Sequence, residues 1–137
     1  MENTAPQENT AVKPEEEIKN KEILLDGYIF LKYGSWGDPG YRHVFLSPDL
    51  KTICWKHVDE EKVSGSIPLI SFNEIKIGRH TPIFKRKPAK SPEQDKLSFS
   101  LLGTKRSLDL ESSSKEQMQL FLEGLESVIL WIHKQKK

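Results

Sequence analysis

The feature that most constrains the fold of this chain is a change in the spacing of its apolar residues near residue 112. Before that point, short segments alternate apolar and polar side chains, as in residues 97–101, "LSFSL". This period of two is typical of β-strands. After "ESSS", apolar residues recur at the three- and four-residue spacing of an amphipathic helix: Met118, Phe121, Leu122, Leu125, Val128, Ile129 and Ile132. The sequence therefore predicts a mainly β fold that ends in one α-helix.

Turn residues divide the β part into seven segments. They are "ILLDGYIFLKY", "YRHVFLS", "KTICWKH", "SGSIPLIS", "NEIKIGRH", "KLSFSLLG" and "RSLDLES". Seven short strands and a terminal helix predict a seven-stranded antiparallel β-sandwich or partly open barrel, with the C-terminal helix capping an open end. Ser113 and Glu116 have the spacing of a capping box, which predicts the start of that helix.

The first 22 residues differ in composition from the rest of the chain. They are rich in Glu, Asn, Pro and Thr and carry six acids and three lysines, whereas residues 23–137 carry 18 bases and 14 acids. A segment with so few aliphatic side chains cannot bury enough apolar surface to offset the entropy of ordering. We therefore predict a disordered acidic tail over 1–22 and a folded, basic domain over 23–137.

Several classes of protein are not expected from this sequence. It has no signal-peptide pattern and no apolar run long enough to span a bilayer, so we expect a cytoplasmic protein. Cys54 and His57 would point to opposite faces of a strand, and the four histidines lack metal-ligand spacing. We expect no catalysis, no cofactor and no metal, and the modest basic excess argues against a nucleic-acid partner.

The landmarks of the strands and helix resemble a pleckstrin homology domain. "GYIFLKYG", "RHVFL" and "TICWK" are similar to the first three strands of that family, and the likeness extends over about residues 23–132. "GRHTPIF" and "SLDL" are the most specific segments and resemble the domains of phosphoinositide-specific phospholipases C and related plant proteins. Phe121 stands where the family usually has tryptophan, a change that the core is expected to accept.

The resemblance implies a site for phosphoinositide headgroups at the mouth formed by the strand-connecting loops. Lys32 and Arg42 match two basic positions of the phosphate motif, but Gly34 and Gly40 stand where the family often has further basic residues. Basic or polar residues of other loops are expected to complete the site: Lys56, Lys105, Arg106 and Ser107.

A second set of residues is expected to contact a membrane or a partner. Trp36 lies in the loop "SWGDPG" and is larger than a turn requires, so its ring either packs on the strands, against Tyr33 or Tyr41, or is held out for a bilayer interface or a protein partner. Lys85, Arg86 and Lys87 belong to the basic run 76–90, which we expect on a different loop from the mouth, in an auxiliary role. Asp38 argues against insertion because anionic lipid would repel it.

Two hypotheses about function follow. The first is a reversible, peripheral membrane adaptor that binds a phosphoinositide or inositol phosphate headgroup on an anionic membrane surface. The alternative is a protein-interaction module in which the lipid site is degenerate.

Overall fold

A computed structural model of the chain describes residues 18–135, which form one antiparallel sheet of seven strands and a long terminal helix. The strands are β1 (Tyr28–Tyr33), β2 (Gly40–Leu46), β3 (Thr52–His57), β4 (Gly65–Pro68), β5 (Phe72–Ile77), β6 (Ser98–Gly103) and β7 (Ser107–Glu111). The helices are α1 (Lys21–Asp26), α2 (Pro82–Lys85), α3 (Pro92–Lys96) and α4 (Lys115–Gln135), with a 3-10 turn at Leu69–Ser71. The predicted fold class is confirmed.

Strand β1 joins the β2–β4 half of the sheet to the β5–β7 half. Among the described residues, the inner faces of both halves contribute to one hydrophobic core cluster. The strand order is β4-β3-β2-β1-β7-β6-β5, so β4 and β5 are the edge strands. Phe30 on β1 is fully covered, and its ring centroid lies 5.5 Å from that of Phe99 on β6 in an edge-to-face arrangement. Aromatic pairs of this geometry stabilise a core beyond the area that they bury.

Helix α4 covers the core with the face that its periodicity predicts. All seven apolar positions named from the sequence are buried. Phe121 is fully buried and its ring centroid lies 5.1 Å from that of Phe30, so a phenylalanine fills this position of the core. Among the residues described, no helix is long and apolar enough to cross a bilayer.

The start of α4 corrects the predicted capping box by one residue. The helix begins at Lys115, and Ser114 Oγ accepts a hydrogen bond of 3.3 Å from the backbone N–H of Gln117. Ser114 rather than Ser113 is the N-cap because only the residue directly before the first helical position can reach the free N–H groups of the first turn.

Five residues of the predicted tail, 18–22, belong to the described part of the chain, and the first three lie against the core and α4. Ile18 is buried, the backbone N–H of Lys19 donates to Ser127 Oγ at 2.9 Å, and Asn20 Nδ2 donates to Leu120 O at 2.8 Å. A Cβ atom at Gly124 would lie 2.8 Å from Lys19 O, so the helix carries glycine where this segment crosses it. The prediction of disorder for residues 1–17 falls outside the described residues.

The segment "ILLD", which we predicted as part of the first strand, is helical. It forms the end of α1, and Gly27 with φ 74 then turns the chain into β1. Leu24 is fully buried in the core cluster, so a short helix buries these apolar side chains as effectively as a strand would. Apolar residues in a short run do not distinguish the two.

Candidate functional site

Lys32 and Arg42 lie on the core-facing side of the sheet at its rim. Lys32 follows the buried Phe30 by two positions, and Arg42 is the cross-strand partner of Phe30. Because directly opposed residues of an antiparallel pair share a face, both basic side chains continue the inner face. Lys32 Nζ lies 4.9 Å from the ring centroid of Trp55, which is buried, so a cation–π contact supports the ammonium group.

Gly40 makes room for the Arg42 guanidinium. A Cβ atom at position 40 would lie 2.6 Å from Arg42 Nη1, and that nitrogen donates to Tyr41 O at 2.9 Å. The guanidinium of Arg42 therefore occupies the space beside Gly40, the position at which the family often has a further basic residue.

Positive charges of β2 and of the β6–β7 turn converge on Lys32. Burial lowers the pKa of Lys32, and repulsion from Arg106 and then Arg42 lowers it further, while Asp109 acts in the opposite direction. Arg106 and the exposed Lys105 come from the β6–β7 turn. Within the described part of the chain, Lys32, Arg42 and Arg106 form no ion pair. The structure thus brings together three of the predicted headgroup residues, which we call the basic mouth: Lys32, Arg42 and Arg106.

Two other predicted headgroup residues lie on the opposite face of the sheet. Lys56 follows Trp55 and so points outward, where its Nζ lies 5.9 Å from the ring centroid of Phe45. Ser107 precedes the buried Leu108, and its hydroxyl donates to Asp109 Oδ2 at 2.7 Å. Sequence reasoning assigned both by their loops, whereas the two-residue period of a strand decides which face each side chain takes.

The loop between β1 and β2 presents Trp36 to solvent. Its side chain is 91% exposed, so it does not pack on the strands. The loop is held by the basic segment that follows α2: Arg86 Nη1 donates to Ser35 O at 3.0 Å, and Lys87 Nζ lies 3.2 Å from Asp38 Oδ1. Lys85 is exposed at the end of α2. The basic run belongs to another loop, as expected, yet it lies against the Trp36 loop.

Residues of "GRHTPIF" and "SLDL" form a buried network of hydrogen bonds and an ion pair on the outer face of the sheet. Arg79 Nη2 lies 2.6 Å from Glu111 Oε1 and donates to Tyr33 Oη at 2.8 Å, and its guanidinium lies 4.7 Å from the Tyr33 ring centroid and 4.9 Å from that of Phe84. Arg79 also donates to Ser98 Oγ and to the backbone oxygen of Lys87. Burial raises the pKa of Tyr33, as does the hydrogen bond that it donates to Glu111.

Asp109 is the second centre of this network. It is fully buried, and Oδ1 accepts hydrogen bonds of 2.6 Å from both Thr81 and Ser100. Thr81 also caps α2 by accepting from the N–H of Phe84 at 3.2 Å. "GRHTPIF" and "SLDL" therefore hold the β5–β6 connection on the sheet. Sequence reasoning did not assign these roles; the available signal was an aspartate between two leucines in a strand.

Comparison with known proteins identifies the family through a family model and shows the same fold in solved structures. The family model described as pleckstrin homology domain matches residues 17–129. The chain is similar to Inner Membrane Complex Sub-compartment Protein 1 (ISP1) from Toxoplasma gondii, with 18% identity, 93% of this chain and 99% of that chain covered, and a TM-score of 0.59. It is also similar to the C-terminal PH domain of human pleckstrin, with 11% identity, 93% of both chains covered and a TM-score of 0.56. PLC21 of S. officinalis matches at 14% identity and a TM-score of 0.61, over 82% of this chain and 16% of that one. The resemblance stated from the sequence is confirmed.

Proposed function

This chain belongs to the pleckstrin homology domain family, whose members are binding modules for lipids or proteins, and we propose that it binds phosphoinositide headgroups at anionic membrane surfaces. The observation that carries the proposal is the basic mouth. A half-buried lysine lies among two arginines, and no carboxylate of the described residues forms an ion pair with any of them.

A phosphate group supplies the charge that such a site lacks. The same repulsion that lowers the pKa of Lys32 is relieved when an anion binds between the ammonium and the two guanidinium groups. Arginine presents a planar fork that matches phosphate oxygens, and lysine acts as a compact point charge. The chemical class that this arrangement recognises is therefore a phosphate ester such as an inositol phosphate.

The Trp36 loop gives the headgroup site a membrane-facing neighbour. Tryptophan prefers the bilayer interface because its ring is apolar and its N–H is polar. The ion pair with Lys87 places a positive charge beside the Asp38 carboxylate, which offsets the repulsion between that group and anionic lipid. Lys85 and Arg86 add basic groups beside the loop, each worth about 1 kcal/mol near an anionic leaflet.

Replacing Lys32 by Met and Arg42 by Gln is expected to abolish flotation with phosphoinositide vesicles. Binding to phosphate requires the two charges, whereas folding does not, because the lowered pKa of Lys32 means that the fold disfavours its charged form. The double variant should therefore melt close to the parent temperature. The measurement is flotation with phosphatidylcholine vesicles that contain phosphoinositide, beside vesicles with phosphatidylserine alone.

The matched control is Lys56→Met, which removes one positive charge from the outer face and should float like the parent. A parent chain that does not float with any phosphoinositide, or a double variant that floats as well as the parent, would contradict the proposal. Either result would favour the protein-interaction alternative.

Emission from Trp36 is expected to shift to the blue only when phosphoinositide vesicles are added. The ring is exposed in the free protein and would enter the bilayer interface on binding. The measurement uses the variant with Trp55→Phe and Trp131→Phe, so that a single tryptophan reports. Soluble inositol phosphate should reverse the shift by competing for the basic mouth, and emission that stays unchanged with vesicles would exclude insertion of this loop.

A further inference from the structure

A groove of about 760 Å³ lies between the edge strand β5 and the second half of α4. Its apolar lining comes from Ile75 of the strand and from Ile129, Leu130 and Trp131 of the helix. Leu130 is 60% exposed, although the neighbouring Ile129 is buried in the core. None of the residues of the basic mouth lines this groove, so the two surfaces are separate.

The strand that forms one wall has backbone groups that pair with no other strand among residues 18–135. The N–H of Gly78, directly after β5, donates to Ser98 O at 2.7 Å. In an antiparallel pair every second residue hydrogen-bonds to the neighbouring strand, so Lys76 and Glu74 also direct their backbone groups toward β6. Alternation then directs the N–H and C=O of Ile75 away from the sheet. Because β5 is an edge strand, an added strand can pair at this position.

The helical wall contains a buried donor that lacks an acceptor. Trp131 Nε1 is shielded from solvent and has no hydrogen-bond partner among the residues described. A buried N–H without an acceptor is costly, and such groups in folded proteins call for an explanation. Because this nitrogen is shielded, a chain bound in the groove contacts the part of the Trp131 ring that lines it rather than the N–H group.

The rim of the groove is acidic. Among the described residues, Glu74 of the strand and Glu123 and Glu126 of the helix line it, and the basic residues of the lining are Lys19 and His133. Complementary charge steers association and excludes partners of the wrong sign. An acidic segment such as residues 13–17 of this chain, "KPEEE", is therefore a poor occupant, and a basic segment is a good one.

We propose that this groove binds an extended, basic segment of a partner protein. The segment pairs with β5 through the backbone of Ile75 and inserts an apolar side chain against Leu130 and Trp131. Its lysines or arginines meet Glu74, Glu123 and Glu126. This mode of recognition takes affinity from strand pairing and specificity from the groove.

The test is NMR titration of the isotope-labelled full chain with a synthetic peptide. The probe alternates valine and threonine, has a central phenylalanine and carries two lysines at each end. The expected result is a set of shifts at the amides of Ile75 and Ile77 and at the indole N–H of Trp131. A peptide with glutamates in place of lysines should bind about five- to tenfold more weakly.

Reversing the charge of the rim tests the proposal by a change in which peptide binds more tightly, rather than by a loss of binding. The variant Glu123→Lys, Glu126→Lys should prefer the glutamate peptide, because both side chains are exposed and their replacement spares the core. Glu61→Lys, on an exposed loop outside the groove, should keep the parent preference.

Two results would overturn the proposal. One is the absence of shifts at Ile75 and Trp131 with the lysine peptide at millimolar concentration. The other is slow hydrogen exchange of the Ile75 amide in the free full chain, since that would mean that residues 1–17 or a second copy already cover the groove.

Discussion

Replacing Arg79 by Met is expected to lower the free energy of unfolding by about 3–5 kcal/mol. The side chain of Arg79 is only 4% exposed and that of Glu111 is 17% exposed, so removal of the guanidinium leaves a carboxylate in a largely desolvated place without its cation. The variant also loses the stacking of the guanidinium on Tyr33 and Phe84. Chemical denaturation measures the change through the shift of the midpoint at constant slope.

Two further variants make this result specific. Arg79→Lys keeps the charge but loses the planar fork that reaches Ser98, Tyr33 and Glu111 at once, so it should recover only part of the stability. Lys87→Met breaks an exposed pair, with side chains 48% and 93% exposed, and should cost less than about 1 kcal/mol. Equal losses for Arg79→Met and Lys87→Met would contradict a structural role for the buried pair.

Replacing Asp109 by Ala is expected to cost about 3–5 kcal/mol by a different mechanism. The carboxylate accepts hydrogen bonds from the hydroxyls of Thr81, Ser100 and Ser107, and the first two are buried with it. Alanine leaves those donors without an acceptor in a site that water does not reach, and each such group carries a penalty of about 1–3 kcal/mol. The measurement is again denaturant unfolding, with thermal melting as a second probe.

Asp38→Ala is the matched control because it removes an aspartate whose side chain is 93% exposed. It should leave the free energy of unfolding within about 0.5 kcal/mol of the parent. Asp109→Asn keeps one acceptor oxygen and should fall between the two. A loss for Asp109→Ala no larger than that for Asp38→Ala would show that the three hydroxyls find other partners.

The network also couples stability to the surface that carries Trp36. Arg79 donates to the backbone oxygen of Lys87, and Thr81 links α2 to Asp109. These contacts hold the segment that carries Lys85, Arg86 and Lys87 against the β1–β2 loop. Loss of the network therefore releases the basic groups beside Trp36 as well as destabilising the fold.

The sequence determined the local structure of this protein to a large extent. The seven strands and the terminal helix follow from spacings of two and of three to four residues, because burying one face of a strand or helix requires an apolar side chain at every repeat. The same reasoning identified the apolar face of α4 in full. The prediction was wrong for "ILLD", which we assigned to the first strand and which is helical. In so short an apolar run, the spacing of apolar residues does not distinguish a helix from a strand.

The site was only partly predictable for a related reason. Lys32, Arg42 and Arg106 come together as the resemblance implied, and their binding of a headgroup stays a prediction. Lys56 and Ser107 were assigned to the same mouth from their loops, but the strand period turns both side chains to the outer face. Each is the direct neighbour of a buried strand residue, Trp55 or Leu108, and neighbouring side chains of a strand point to opposite faces. Assignment by loop did not take this alternation into account.

The tertiary structure alone decided which distant residues meet. Arg79 reaches Tyr33 across 46 positions of the sequence, Thr81 reaches Asp109 across 28, and Lys87 reaches Asp38 across 49. The sequence by itself fixes the periodicity of each segment, because periodicity depends on neighbours within a few residues. Contacts between segments depend on strand order, register and the path of the β5–β6 connection, which are set by the packing of the whole core rather than by any local pattern.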